Sequence, residues 1–352
     1  MSLAVRLQYF PSPQPAVALL ARGLAIVLAL VCAGLVLAAF GANPIQLASK
    51  VIQSTFGSSF GLQDVSLLVT PLILTGLAVA VALKVGAWNI GAEGQFYAGA
   101  FAATGIGLFI PGPTFVILPL MFVGGALCGV LWILIPTLAR AYAGVSELIT
   151  TLLLNFVGTL LAYYVSTGPW LDPGGHALGT TARVRHNVPE IWGDVHWGFP
   201  LAIVLTLAVA GALNFTRWGY EVRVAGSNAQ AALYAGIPFR RHLITVMLLS
   251  GAIAGIAGML EVAGTVHRLQ GGISNNFGYL GIMVAVLARG SALGVLAGAA
   301  LMAVILNSGI ILQTQGINTS TVLAITGLIL FFTAIGDELA HYRIVPIETA
   351  KK

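Results

Sequence analysis

Between Ala16 and Gly336 the chain returns repeatedly to mainly apolar runs, many near the roughly 20 residues a helix needs to cross the roughly 30 Å hydrocarbon core of a bilayer. A water-facing surface cannot be built around them. Only 8% of the 352 residues are charged and 58% are hydrophobic, whereas soluble domains carry about 25% charged residues. The sequence predicts an all-α integral membrane protein with the lipid bilayer as its solvent, organised as a single transmembrane domain over residues 1–352.

About ten transmembrane helices are expected, at 16–40, 66–83, 96–110, 115–138, 148–166, 199–213, 243–263, 279–287, 293–312 and 321–335. The eighth is too short to cross alone at about 1.5 Å per residue, so broken or half helices are part of the expectation. With the N-terminus inside, twelve of the sixteen Lys and Arg residues fall on the cytoplasmic side. Only Lys50, Arg183, Arg185 and Arg268 fall outside, and this asymmetry is what sets orientation. Both termini, 1–15 and 337–352, are then cytoplasmic. The Gly-, Pro- and His-rich segment 167–198 is an external loop, and the basic segment 214–242 is a cytoplasmic loop.

The net charge of +5 is spread thinly between apolar runs. Topology explains it better than a nucleic-acid partner, and none is expected. Cys32 and Cys128 lie inside apolar stretches, where a thiol behaves as a small hydrophobe, so neither a disulfide framework nor a metal site is implied. A membrane enzyme is disfavoured because no His-Glu-x-x-His pattern and no carboxylate or histidine cluster occurs. The Gly-x-Ser-x-Gly match at Gly57–Gly61 lacks the strand and helix that a nucleophile elbow needs.

Two polar, glycine-rich breaks interrupt the apolar runs, at 84–95 and at 264–278. Non-helical backbone at membrane depth is tolerated only when it is buried in protein or lines a watery cavity. Paired breaks point to two pseudo-repeated halves with a site between them, although no residue-by-residue repeat is visible. Polar residues beside apolar spans are costly and default to function. Trp88, Asn89, Glu93, Gln95, Asn155, Glu261, Asn275, Asn276 and Phe277 are therefore the candidate substrate pathway, with Asn307 behind them. The alternative for Asn89 and Glu93 is that they cap the helix beginning near Gln95. Glu147 reads as a helix-start carboxylate. Gly251, Gly255 and Gly258, and Gly294 with Gly298, are spaced for close helix packing.

In the cytoplasmic loop, Ser227 or Asn228 is placed to cap a short helix through Ala235 that Gly236 and Pro238 terminate. From about Ser66 to Gly336 the chain resembles the permease family of ABC importers that serves ribose-like sugars, branched-chain amino acids and nucleosides. The resemblance is strongest in Asn89-Ile90-Gly91-Ala92-Glu93-Gly94-Gln95 and in the Gly226 to Pro238 stretch. It implies that this stretch is the coupling helix, with Ala231, Ala232, Leu233, Tyr234, Ala235, Gly236 and Ile237 meeting an ATPase subunit. It also implies a second permease subunit, an external substrate-binding protein or lipoprotein, and a bacterial plasma membrane location. The first break looks like that of nucleoside permeases, which makes nucleosides the expected substrate and simple sugars the alternative. No phosphate-binding Gly-x-x-x-x-Gly-Lys occurs, so no cofactor is expected on this chain, and ATP and Mg belong to the ATPase. An ion-coupled secondary transporter is the rival class, but the carboxylates it would need sit only at span ends.

Overall fold

The computed structural model describes residues 5–10, 15–174 and 179–346. The first and last few residues and part of the expected external loop lie outside them. The chain is mainly helical, and each of the ten expected apolar segments is helical to within one residue of its bounds. Among the described residues, seven helices are long and apolar enough to cross a membrane unaided.

Two compact units are distinguished, one from the described parts of Met1–Ser58 and Ile305–Lys352, the other Ser59–Val304. In the first, strand β1 (Val5–Tyr9) leads into helix α1 (Pro15–Ala39). The chain then turns at Gly41, whose positive φ suits glycine, and Pro44 opens α2 (Pro44–Phe56) at 119° to the end of α1. The Asn43 side chain caps α2 by accepting from the amides of Ile45 and Gln46. The far end of α12 (Ala292–Thr314) and α13 (Thr319–Leu339) complete the unit. Ala33, Leu37, Leu47, Leu312, Val322 and Ile325 form its core. Strand β4 (Tyr342–Pro346) pairs antiparallel with β1, which brings the two ends of the described chain together.

The second unit is built around α3 (Ser59–Leu83), α4 (Ala92–Phe109) and α10 (Phe239–Leu260). The spans containing α3 and α10 are largely buried. Around them stand α5 (Thr114–Ala143), α6 (Glu147–Thr167) and α7 (Gly198–Phe215). These expose rows of apolar side chains such as Phe115, Leu127, Leu131, Phe156, Leu160, Val204 and Leu207. In water such surface would be a liability, and against lipid it is the expected face. The helices cross where glycines remove bulk: a Cβ at Gly258 would sit 1.9 Å from the Phe96 carbonyl of α4. One at Gly255 would sit 2.2 Å from the Gly125 carbonyl of α5, so the small-residue spacing expected for packing does pack.

Besides α2 and the β1–β4 pair, three features were not foreseen in the sequence. Helix α3 starts seven residues earlier than expected, at Ser59. The 214–242 loop holds two helices, α8 (Arg217–Ser227) and α9 (Ala229–Tyr234). A two-stranded hairpin, β2 (Glu190–Trp192) with β3 (Val195–His196), precedes α7. After α10 the helix loosens into a π-helical turn (Glu261–Val266), and the short α11 (Phe277–Leu287) follows the second break.

Candidate functional site

The first break begins where α3 ends in a glycine-terminated turn. Gly86 takes φ +76°, and the Ala87 amide donates back to the Ala82 carbonyl at 3.2 Å, the usual way a left-handed residue closes a helix. The chain from 87 to 91 leaves backbone groups that neither a helix nor a sheet pairs. Side chains take over. The Asn89 and Gln95 amides pair reciprocally, each donating to the other's oxygen at 2.8 Å. Asn89 Oδ1 also accepts from the Gly91 amide at 3.0 Å, and Nδ2 donates to Ser250 Oγ at 2.7 Å. Ser250 in turn donates to the Ala78 carbonyl at 2.6 Å, tying the break to α3 and α10 together.

Asn155 reaches the same segment from α6. Its Nδ2 donates to the Ile90 carbonyl at 2.9 Å, and its Oδ1 accepts from the Gly94 amide at 2.8 Å. It thus supplies both of the partners that water would otherwise give. Asn89, Gln95 and Asn155 are all buried, and their polar atoms are engaged on the protein's own backbone and on one another. Ser250 was not singled out in the sequence. Its only local signal is a hydroxyl within a Gly- and Ala-rich apolar helix.

Glu93 lies in the first turn of α4 yet caps a different helix. Only 3% exposed, its Oε2 accepts from the Gly278 amide at 2.8 Å, and the carboxylate also faces Ser274 and the Tyr279 amide. A carboxylate there complements the positive end of the helix dipole of α11. The alternative reading, that Glu93 caps its own helix, gives way to this cross-helix cap, because the side chain of an N-terminal residue projects away from the axis toward whatever packs beside it. Phe277 is buried at the same joint, its ring 6.4 Å from that of Phe96. Asn275 and Asn276 are exposed in the left-handed region just before α11, and Trp88 is 41% exposed. Glu261, 5% exposed, opens the π-helical turn. The nine expected pathway residues therefore divide: Asn89, Glu93, Gln95, Asn155 and Phe277 brace the breaks, Trp88, Asn275 and Asn276 are open, and Glu261 stands apart. Elsewhere Glu147 pairs with Arg140 at 3.1 Å, and Asn307 donates to Thr55 at 3.2 Å within the other unit.

In the 214–242 loop, Asn228 rather than Ser227 caps α9, accepting from the amides of Gln230 and Ala231 at 3.0 Å each. Gly236 then turns the chain at φ +73°. Ala232 is buried and Ile237 half-buried, whereas Ala231, Ala235 and Gly236 are exposed, Leu233 is 73% exposed and Tyr234 93%. Helix α8 ends with Gly226 pressed on the first break, where a Cβ would lie 2.1 Å from the Lys84 carbonyl.

The segment before α7 is pinned across the second break. The amides of Thr181, Val184 and Val188 donate to the carbonyls of Leu269, His267 and Ala263. His196 is buried beneath it, its Nδ1 accepting from the Gly198 amide at 3.0 Å. Burial, helped by the neighbouring His267, pushes its pKa down to about 4. His267 is likewise lowered by its own burial and by Arg183. Among the described residues no group of three or more His, Cys, Asp or Glu side chains is gathered where a metal could sit.

Comparison with known proteins gives a consistent result. A family model described as branched-chain amino acid transport system / permease component matches residues 61–334. The chain is 33% identical to a glucose ABC transporter permease of Haloferax volcanii, over 91% of this chain and 88% of that protein. It is 32% identical to a guanosine ABC transporter permease of Bacillus subtilis, over 79% and 82%. A nucleoside ABC transporter permease of Lactococcus lactis is 30% identical over 89% of each chain.

Proposed function

We propose, on the premise that the chain belongs to the branched-chain amino acid transport system / permease component family, that it is the permease subunit of an ATP-driven importer whose cargo is nucleosides. The observation that carries the ATP-driven reading is α9, a six-residue helix capped at both ends that presents Leu233 exposed and Tyr234 almost fully bare. Apolar and aromatic bulk on a short, rigid surface element is what docking into a protein cleft requires. In this reading an ATPase subunit covers α9 and binds the ATP and Mg, and this chain binds no cofactor of its own. A second, non-identical permease completes the path, and an external binding protein or lipoprotein delivers the solute. Both termini are cytoplasmic, ten full or half crossings make up the bundle, and the membrane is the bacterial plasma membrane.

The nucleoside assignment draws on the guanosine and nucleoside permeases among the relatives and on the character of the breaks. A half-helix N-terminus ordinarily favours an anion. Here Glu93 already fills that position at α11, which supports an uncharged cargo. Trp88 offers an exposed aromatic face for a base, a contact worth about 1–3 kcal/mol in nucleic-acid binders, and Asn275 and Asn276 offer amides for ribose hydroxyls. A simple sugar is the second reading, favoured by the glucose permease relative.

The test is uptake by the complete complex in proteoliposomes. Uptake should require ATP, need no ion gradient, and be competed by unlabelled nucleosides but not by glucose. Leu233→Asp with Tyr234→Ala should leave the subunit inserted and uncouple hydrolysis from uptake. Uptake driven by an ion gradient, or unaltered uptake by the double variant, would overturn the ATP-driven reading. Competition by glucose alone would move the cargo to sugars.

A further inference from the structure

The two breaks are joined to each other and to the 214–242 loop by direct contacts. At one end Gly226 lies against the backbone of Lys84 and Val85 so closely that even a methyl group would meet the Lys84 carbonyl at 2.1 Å. From there the break is braced without slack: Asn89 to Gln95 and Ser250, Asn155 to both Ile90 and Gly94. A segment whose buried side-chain amides are engaged in this way resists local bending, because a bend must break some of these hydrogen bonds. At the other end Glu93 holds the first turn of α11. Its Oε2 accepts from the Gly278 amide, and a Cβ on Gly278 would lie 2.3 Å from the Glu93 nitrogen. Gly226 and Gly278 are thus separated by one continuous strut.

We propose that Glu93 is a positioning residue that makes α11 follow the first break, so that displacement of α8 and α9 reaches the exposed Asn275–Asn276 corner through residues 84–93. The proposal rests on the reading of α9 as the ATPase docking helix. Glu93 acts through α11 and is not itself required to touch the cargo. The contact is suited to this task because a carboxylate on backbone amides at a helix start is a charge-assisted link stronger than a neutral hydrogen bond. Serial packing through two glycines also leaves no compressible side chain between the moving parts.

The experiment uses the whole complex in proteoliposomes: labelling is read with Cys32→Ser, Cys128→Ser and Asn276→Cys as the reporter of α11, and uptake is read in parallel with Asn276 intact. A membrane-impermeant thiol reagent is applied with and without ATP and vanadate. In the parent the rate of labelling at position 276 should change on nucleotide trapping. Glu93→Ala should keep assembly and ATP hydrolysis, lose that nucleotide-dependent change, and lower uptake by about tenfold or more, the size of one charge-assisted link. Glu93→Gln, which retains an acceptor for the Gly278 amide, should restore most of both. Should Glu93→Ala fail to assemble, Glu93→Asp, one methylene too short to reach, takes its place with the same expectation. A nucleotide-dependent change of parental size in the shortened or truncated variant overturns the proposal, as does a parent in which ATP drives uptake without altering position 276. Uptake that needs no ATP at all overturns the docking reading instead, and is recognised before any Glu93 variant is made.

Discussion

Replacing Asn155 separates two roles that the sequence left open, because the structure assigns its whole amide to the backbone of the first break. Asn155→Ala removes the acceptor of the buried Gly94 amide and the donor to the part-buried Ile90 carbonyl. Each orphaned group costs about 1–3 kcal/mol, so a loss of about 2–6 kcal/mol is expected if no water enters. Relaxation or an entering water would place the result at the lower end. Asn155→Asp keeps the acceptor but turns a second oxygen toward the Ile90 carbonyl, so it should cost at least as much. The measurement is thermal denaturation of the purified subunit in detergent, run beside uptake by the reconstituted complex. A brace predicts that apparent Tm and uptake fall together, and that lowering the assay temperature restores part of the uptake. A variant with parental Tm and impaired uptake would show that Asn155 meets the cargo, and the account of the break as a strut braced by side-chain amides would be wrong.

Two further predictions probe packing and protonation. Gly258→Ala puts a methyl 1.9 Å from the Phe96 carbonyl, and since backbone cannot rotate away the α4–α10 crossing should open at a cost of about 1–3 kcal/mol or more. The same denaturation assay reads it, with Gly211→Ala, which meets nothing within 4 Å, as the neutral control. His196 is held neutral in the folded protein, its pKa lowered from 6.5 to about 4 by burial first and by His267 second. Its contribution is therefore fully present above pH 6.5 and is lost as pH falls from there toward 4, by up to about 3 kcal/mol. His196→Gln should flatten the acid limb of stability against pH, and an unchanged limb would remove His196 as its cause.

Much of this molecule is written locally. An apolar run of spanning length is helical wherever it occurs, because in lipid the backbone must satisfy itself. Thus every expected segment is helical to within one residue of its bounds, and the ends of α9 follow from Asn228 and Gly236, whose capping and left-handed preferences act within a few residues. Helices α2 and α8 escaped notice because they are amphipathic and moderately polar, and their periodicity competes with the turn-forming residues around them. The positions of the two breaks were also legible, since glycine and polar residues stand out against an apolar background. What those polar residues do was not. Asn155 meets Gly94 across 61 residues, Asn89 meets Ser250 across 161, and Glu93 meets Gly278 across 185. A hydrogen bond depends on distances of a few tenths of an ångström between atoms whose separation along the chain says nothing of their separation in space. The sequence alone determined that costly polar groups lie beside apolar spans. Only the packing of α3, α4, α6, α10 and α11 decided that most of them hold the protein's own backbone, while Trp88, Asn275 and Asn276 remain open.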